Sequence, residues 1–376
     1  MLPRHDRVLC VRCKDTLPGL HWSQPTALAE AEPMTRNQND VLAVASQSGA
    51  TVTFFDAVTY DRLGEVAVPR EPHELCFDAA RRLLYCTITY RSGYYHANGG
   101  RARELAVIDP DSRRLVDVVD LGPERGPHGI ALDPSGELLW VSVEAYGDES
   151  GGLLALDAET LEPVRRVPAG APGPHWFVIT PDGRRACTAN KEAPFVSVLD
   201  LASGELLDRV ALPGGSEGIA VSGDGRHLYV AGPKADFGAG APVRDGGVRI
   251  VDTATGAVAG TLPADGYVFP VHVTATGLLL AGELRTTEGD SALGGQAPGL
   301  LRVYDGAGRQ EPARVPVGAF PLTITSSPDG RYGYVAAVVS STVTVVDLAA
   351  ATAVATLEVG RSGEPGAHGL AYVPAA

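Results

Sequence analysis

A short apolar run ending in aspartate recurs seven times in this chain, and no other feature restricts its fold so strongly. The copies are VTFFD (52–56), LAVID (105–109), LLALD (153–157), VSVLD (196–200), VRIVD (248–252), LRVYD (301–305) and VTVVD (343–347). A turn follows each, as in TATG at 253–256. Aspartate at a strand end accepts hydrogen bonds from the turn that follows it. The seven aspartates therefore read as turn residues and not as catalytic acids.

A second element precedes most copies: an apolar strand, a PDG-like turn, and another strand ending in small residues. Examples are IALDPSGELLWVSV (130–143), FVITPDGRRACTAN (177–190), IAVSGDGRHLYVAG (219–232) and ITSSPDGRYGYVAA (324–337). Each repeat thus holds four strands, A to D, at a pitch of about 42–55 residues, which is the signature of a propeller blade. The first repeat starts near Asn39 with strands B, C and D only, and HGLAYVP (368–374) is a strand A with nothing after it. Pairing the two completes a seventh blade and removes the exposed edges of an open array. The expected fold is an all-β, seven-bladed β-propeller over residues 37–376.

Residues 1–36 carry no repeat strand and no apolar core of a secretory signal. They are expected to be a disordered extension, or sequence upstream of a true start at Met34. Five cysteines in 376 residues make no disulfide framework, and the CxxC of Cys10 and Cys13 has no second pair at zinc-ribbon spacing. No apolar run reaches the roughly 18 residues of a membrane span. The formal charge of −14 argues against nucleic acid and anionic lipid, which demand a basic face. A cytoplasmic monomer acting on a small molecule is the expectation.

The PDGR-type turns, LYVAG (228–232), VSVLD, VTVVD and DTATGAV (252–258) resemble the YVTN-repeat family of seven-bladed propellers, over residues 39–374. The resemblance implies the fold. It carries no single activity, because the family and its lactonase- and streptogramin-lyase-like kin include enzymes of several kinds.

Strand A is innermost in a propeller, and its start lies at one mouth of the channel. Aligned there, the blades read PHEL, PHGI, PHWF, SEGI, PVHV, PLTI and AHGL. The column holds His73, His128, His175, Glu217, Val271 with His272 beside it, Leu322 and His368. Nine histidines in 376 residues would place about 0.2 in seven random positions, so four in register is not chance. Because the last strand closes the first blade, His368, His73, His128, His175 and Glu217 come from five consecutive blades. Imidazoles with one carboxylate suit zinc, copper, iron or nickel rather than calcium or magnesium. His73, His128, His175 and His368 are the expected ligands of one transition-metal ion (Zn, Fe or Cu), with Glu217 and His272 as proton-transfer groups.

Four B–C connections on the same face are long: 89–103, 144–152, 233–247 and 283–299. Long loops over one mouth of a rigid scaffold are where binding sites concentrate. Tyr94, Tyr95, His96, Tyr146 and Trp176 are the candidate substrate-binding residues there. Three functions follow: a metal-dependent lyase or hydrolase, which the pattern favours; a metal-dependent oxidoreductase or oxygenase with a multi-histidine site; and a non-catalytic binding or scaffold propeller.

Overall fold

The computed structural model describes residues 39–376 apart from 95–97, 147–148, 236–244, 290, 292, 306–311 and 364. The expected segment 1–36 lies outside the described residues. Among the described residues, twenty-eight strands form seven four-stranded antiparallel sheets. The first blade is β4 (Pro72–Asp78), β5 (Leu83–Tyr90), β6 (Arg101–Asp109) and β7 (Arg114–Asp120). The second is β8 (Glu124–Leu132), β9 (Leu138–Tyr146), β10 (Glu149–Asp157) and β11 (Pro163–Pro168). The third is β12 (Pro174–Ile179), β13 (Arg185–Asn190), β14 (Phe195–Asp200) and β15 (Leu206–Ala211). The fourth is β16 (Ile219–Val221), β17 (His227–Gly232), β18 (Gly247–Asp252) and β19 (Val258–Pro263). The fifth is β20 (Tyr267–Val273), β21 (Leu279–Thr287), β22 (Gly295–Tyr304) and β23 (Ala313–Ala319). The sixth is β24 (Pro321–Ser326), β25 (Tyr332–Ala337), β26 (Thr342–Asp347) and β27 (Thr352–Glu358).

The seventh blade closes the ring as its sequence pattern requires. Strand β28 (Ala367–Val373) pairs with β1 (Val41–Ser46), which continues through β2 (Thr51–Asp56) to β3 (Arg62–Ala67). The pairing buries Leu370, Ala371 and Val373, so both chain ends of the propeller are held by one sheet. Among the described residues no helix is long and apolar enough to cross a membrane.

The aspartate turns are built as their residue type dictates. Asp56 Oδ1 accepts from the amides of Val58 (2.8 Å) and Thr59 (2.7 Å), and Asp157, Asp200, Asp252 and Asp347 repeat the pattern. The apolar residues of strands B and C face the neighbouring blade, so the core lies between blades. One cluster joins Tyr85 and Leu105 of the first blade to Leu139 and Val141 of the second. Another packs the fully buried Trp140 against Phe177 and Leu199 of the third blade.

Two of the four expected long loops are mostly strand. Residues 147–148 alone separate β9 from β10, and β21 pairs with β22 out to Thr287 opposite Gly295. Both hairpins continue the ladder past the point where the sequence alternation lapses, because the paired neighbour supplies the hydrogen bonds.

Candidate active site at the channel mouth

Two column residues are fixed through their backbone by the blade before them. Thr87 Oγ1 donates to the His128 carbonyl (2.8 Å), and Ser142 Oγ donates to the His175 carbonyl (2.5 Å). The next residue is glycine in several blades because a carbonyl of the next blade leaves no room for a side chain. A Cβ on Gly218 would lie 1.9 Å from the Phe269 oxygen, and one on Gly369 would lie 2.1 Å from the His73 oxygen. In five blades the turn into strand A holds a left-handed residue. Gly126, Gly173 and Gly215 supply it in three, whereas Glu71 (φ 61°) and Phe320 (φ 60°) adopt it at a cost of roughly 1 kcal/mol or more each. Both keep their side chains at the mouth.

The structure brings His73, His128, His175 and His368 together, all buried. Ring centroids lie 4.4 Å apart for His73 and His368, 4.9 Å for His73 and His128, and 3.7 Å for His128 and His175. His73 Nδ1 lies 2.9 Å from the Glu71 carbonyl, which can only accept, so Nδ1 carries the proton and Nε2 the lone pair. That Nε2 lies 3.5 Å from the Gln47 amide nitrogen. Burial first, and then the neighbouring positive charges, hold His73, His128 and His175 well below the ordinary histidine range. These three imidazoles are neutral at physiological pH, the form that accepts a proton or binds a metal.

Glu217 lies two residues before β16 and occupies the fourth column position. Burial pushes its carboxyl up to about 7, against the pull of Lys234 and Lys191. Neither of its oxygens has a hydrogen-bond partner in the described structure, and the same holds for Nδ1 of His128, His175 and His368. His368 Nδ1 does lie 3.3 Å from Glu74 Oε1, but the geometry is not that of a hydrogen bond, and both atoms are left without one. Five unpartnered buried polar atoms in one place are costly unless something else satisfies them.

The sequence alignment misplaced the fifth blade. Pairing of β20 with β21 puts Val271 opposite Ala281, as Ile130 lies opposite Val141 in the second blade. The column residue is therefore Phe269, two positions earlier, and not Val271. His272 sits three residues further down the strand, about 10 Å along it. Its Nε2 is 3.0 Å from Ser326 Oγ, away from the cluster, and burial lowers it to about 4. It is no candidate for proton transfer at this mouth.

The corrected column divides the mouth in two. His368, His73, His128, His175 and Glu217 form a polar arc, and Phe269 and Leu322 close the ring with apolar side chains. Residues leaving strand B repeat the division: Gln47, Glu144 and Lys191 lie on the polar side, Leu284 and Val338 on the apolar side. The histidine cavity is lined by the four histidines with Gln47, Tyr90, Tyr94, Leu293, Leu322 and Val338 among others. The space open to the centre of a water-sized sphere is ≈ 20 Å³, room for an ion or a water or two.

Of the expected substrate-binding residues, Tyr94 lines this cavity. Trp176 packs edge-on to His175 (4.8 Å) and Phe269 (5.5 Å) and acts as a wall behind the cluster. Tyr146 ends β9, and its side chain lies outside the described residues, as do Tyr95 and His96.

Sequence reasoning missed a polar network beside the histidines. Lys191 Nζ donates to Tyr90 OH (2.9 Å) and pairs with Glu144, Tyr90 OH donates to Glu144 Oε1 (3.0 Å), and Arg101 Nε donates to Glu144 Oε2 (2.7 Å). These ion pairs hold Glu144 below, and Lys191 above, their ordinary ranges despite burial. The Tyr90 ring meets His73 edge-on at 5.3 Å and so joins the network to the cluster. The one sequence signal was a charged residue at the end of a buried B strand, as in TANKE (188–192).

Comparison with known proteins agrees with the fold. No protein-family model matches the chain, and no curated protein matches it. Many solved structures do. Hydrazine synthase of Kuenenia stuttgartiensis is similar at 23% identity and TM-score 0.63, over 86% of this chain and 98% of that one. The dihydro-heme d1 dehydrogenase NirN is similar at 16% and TM-score 0.55, over 89% and 68% of the two chains. A functionally unknown protein from Desulfotomaculum acetoxidans is similar at 12% and TM-score 0.62, over 90% and 100%. At such identities the likeness is one of fold. The propeller implied by the YVTN-repeat resemblance is the one observed, while membership of that family is shown by no match.

Among the described residues, no three His, Cys, Asp or Glu side chains are placed to hold a metal ion together. The donor chemistry fits an ion nonetheless: neutral imidazoles with unpartnered nitrogens around an ion-sized cavity.

Proposed function

We propose that this mouth is the active site of an enzyme acting on a small molecule, with lyase or hydrolase chemistry assisted by one transition-metal ion. The observation that carries this is the group of unpartnered buried atoms: both oxygens of Glu217 and Nδ1 of His128, His175 and His368. A fold selected for stability alone would not keep five such atoms together. Two of the similar propellers are enzymes by name, hydrazine synthase and NirN, so this architecture supports catalysis.

A metal ion held among His73, His128, His175 and His368 would supply Lewis acidity to a substrate oxygen. The chain's own groups do the rest. Glu217, pushed to about 7, is poised to take a proton near neutral pH, and Nε2 of His175 lies 3.6 Å away to pass it on. The apolar arc of Phe269 and Leu322 excludes water from one side and strengthens the polar contacts on the other.

The test is elemental analysis of protein purified without a histidine tag. About one transition-metal ion per chain is expected, lowered much more by His128→Ala or His175→Ala than by His227→Ala. Metal-free protein after incubation with zinc, iron and copper would overturn the metal part. A second reading then stands, metal-free proton transfer by Glu217 and His175, in keeping with the lack of three converging ligands among the described residues.

A further inference from the structure

Only three of the chain's 31 basic residues are lysines: Lys14, Lys191 and Lys234. Lys14 lies outside the described residues. The other two, 43 residues apart, line one pocket of ≈ 290 Å³ that shares Tyr90 with the histidine cavity. Arg101 is the third cation on its wall.

The charges in this pocket do not cancel. Glu144 is ion-paired twice, by Lys191 on Oε1, which also accepts from Tyr90, and by Arg101 on Oε2. Lys234 Nζ donates to the Lys191 carbonyl (2.9 Å) and has no carboxylate partner among the described residues. Glu192, the remaining acid on the wall, is exposed. Three cations thus face the pocket with one buried carboxylate between them. The chain as a whole carries −14, so this cationic recess is a local arrangement and not part of a basic surface. Lysine is a compact point charge with three donors and can meet an oxyanion without a fixed fork geometry, while the planar fork of Arg101 matches a carboxylate or phosphate directly.

We propose that this pocket binds an anionic group, carboxylate or phosphate, of the small molecule whose reacting part meets the histidine arc. The second half of that statement rests on the enzyme reading above; the anion site itself does not. Its ligand is a small organic anion with an apolar portion, since the pocket lies on the polar side of a mouth whose other side is Phe269, Leu322 and Val338.

Three lysines make the test direct. Protein labelled with ¹³C at lysine Cε gives three side-chain signals, assigned with Lys234→Met and Lys191→Met. Titration with inorganic phosphate, and separately with succinate, at constant ionic strength should move the Lys191 and Lys234 signals and leave Lys14 in place. The arm that saturates at lower concentration identifies the anion. Lys234→Met, at a half-buried position, should weaken the titration at least tenfold while the fold persists. Equal movement of all three signals, the same movement with sodium chloride, or none up to tens of millimolar would overturn the proposal. Anion binding without metal or turnover would sink the enzyme reading alone, and metal without anion binding would sink this one alone.

Discussion

His175 Nε2 lies 3.6 Å from Glu217 Oε2, with both side chains almost wholly buried. The separation is too long for a hydrogen bond, so the imidazole does not stabilise the carboxylate as a salt bridge would. Glu217 is left with desolvation as its dominant influence. A carboxyl in that position costs stability and gains reactivity.

Glu217→Gln is therefore expected to stabilise the protein above neutrality. The folded-state carboxyl is raised from 4.5 to about 7, so the native state holds a proton that the unfolded state has lost. Stability falls as pH rises through that window and is then level, a loss of about 3 kcal/mol. Urea denaturation at pH 8 should show the variant more stable by up to that amount, with the gap closing toward pH 4.5. Equal stabilities at both pH values would remove Glu217 from the role of a strained functional group.

Acid should act in the opposite direction through the histidines. His73, His128 and His175 are lowered in the folded state, so below pH about 6.5 the unfolded chain binds protons that the native chain refuses. Their stability is present above the unfolded value and lost as pH falls. Three such groups outweigh the single carboxyl, and His272 at about 4 adds a fourth. Melting temperature should drop steeply from pH 6.5 to 5, and His128→Gln should make that slope shallower. A slope unchanged in His128→Gln would mean that the cluster does not control acid stability.

The glycine after His368 is a spacing device. Gly369→Ala would set a Cβ 2.1 Å from the His73 carbonyl, a backbone atom that cannot swing away. A loss of about 1–3 kcal/mol is expected, together with movement of the closing strand. Gly223→Ala, where a Cβ meets nothing within 4 Å, should stay within about 0.5 kcal/mol of the parent. Equal losses from both substitutions would refute the close-packed column.

The sequence by itself determined the blade count, the ring closure and the histidine column. Each of these repeats once per blade, and a strand of alternating apolar residues ending in an aspartate turn is specified by neighbours only a few positions away. His73, His128, His175, Glu217 and His368 were legible for that reason. The tertiary structure decided what has no local period. A register shift between Val268 and Val271 moved the fifth column position to Phe269 and left His272 beside Ser326. The network of Tyr90, Glu144 and Lys191 joins residues 47 and 101 positions apart, from the ends of B strands in three blades. Only the closed ring brings those ends together, and the pocket of Lys191, Lys234 and Arg101 exists because it does.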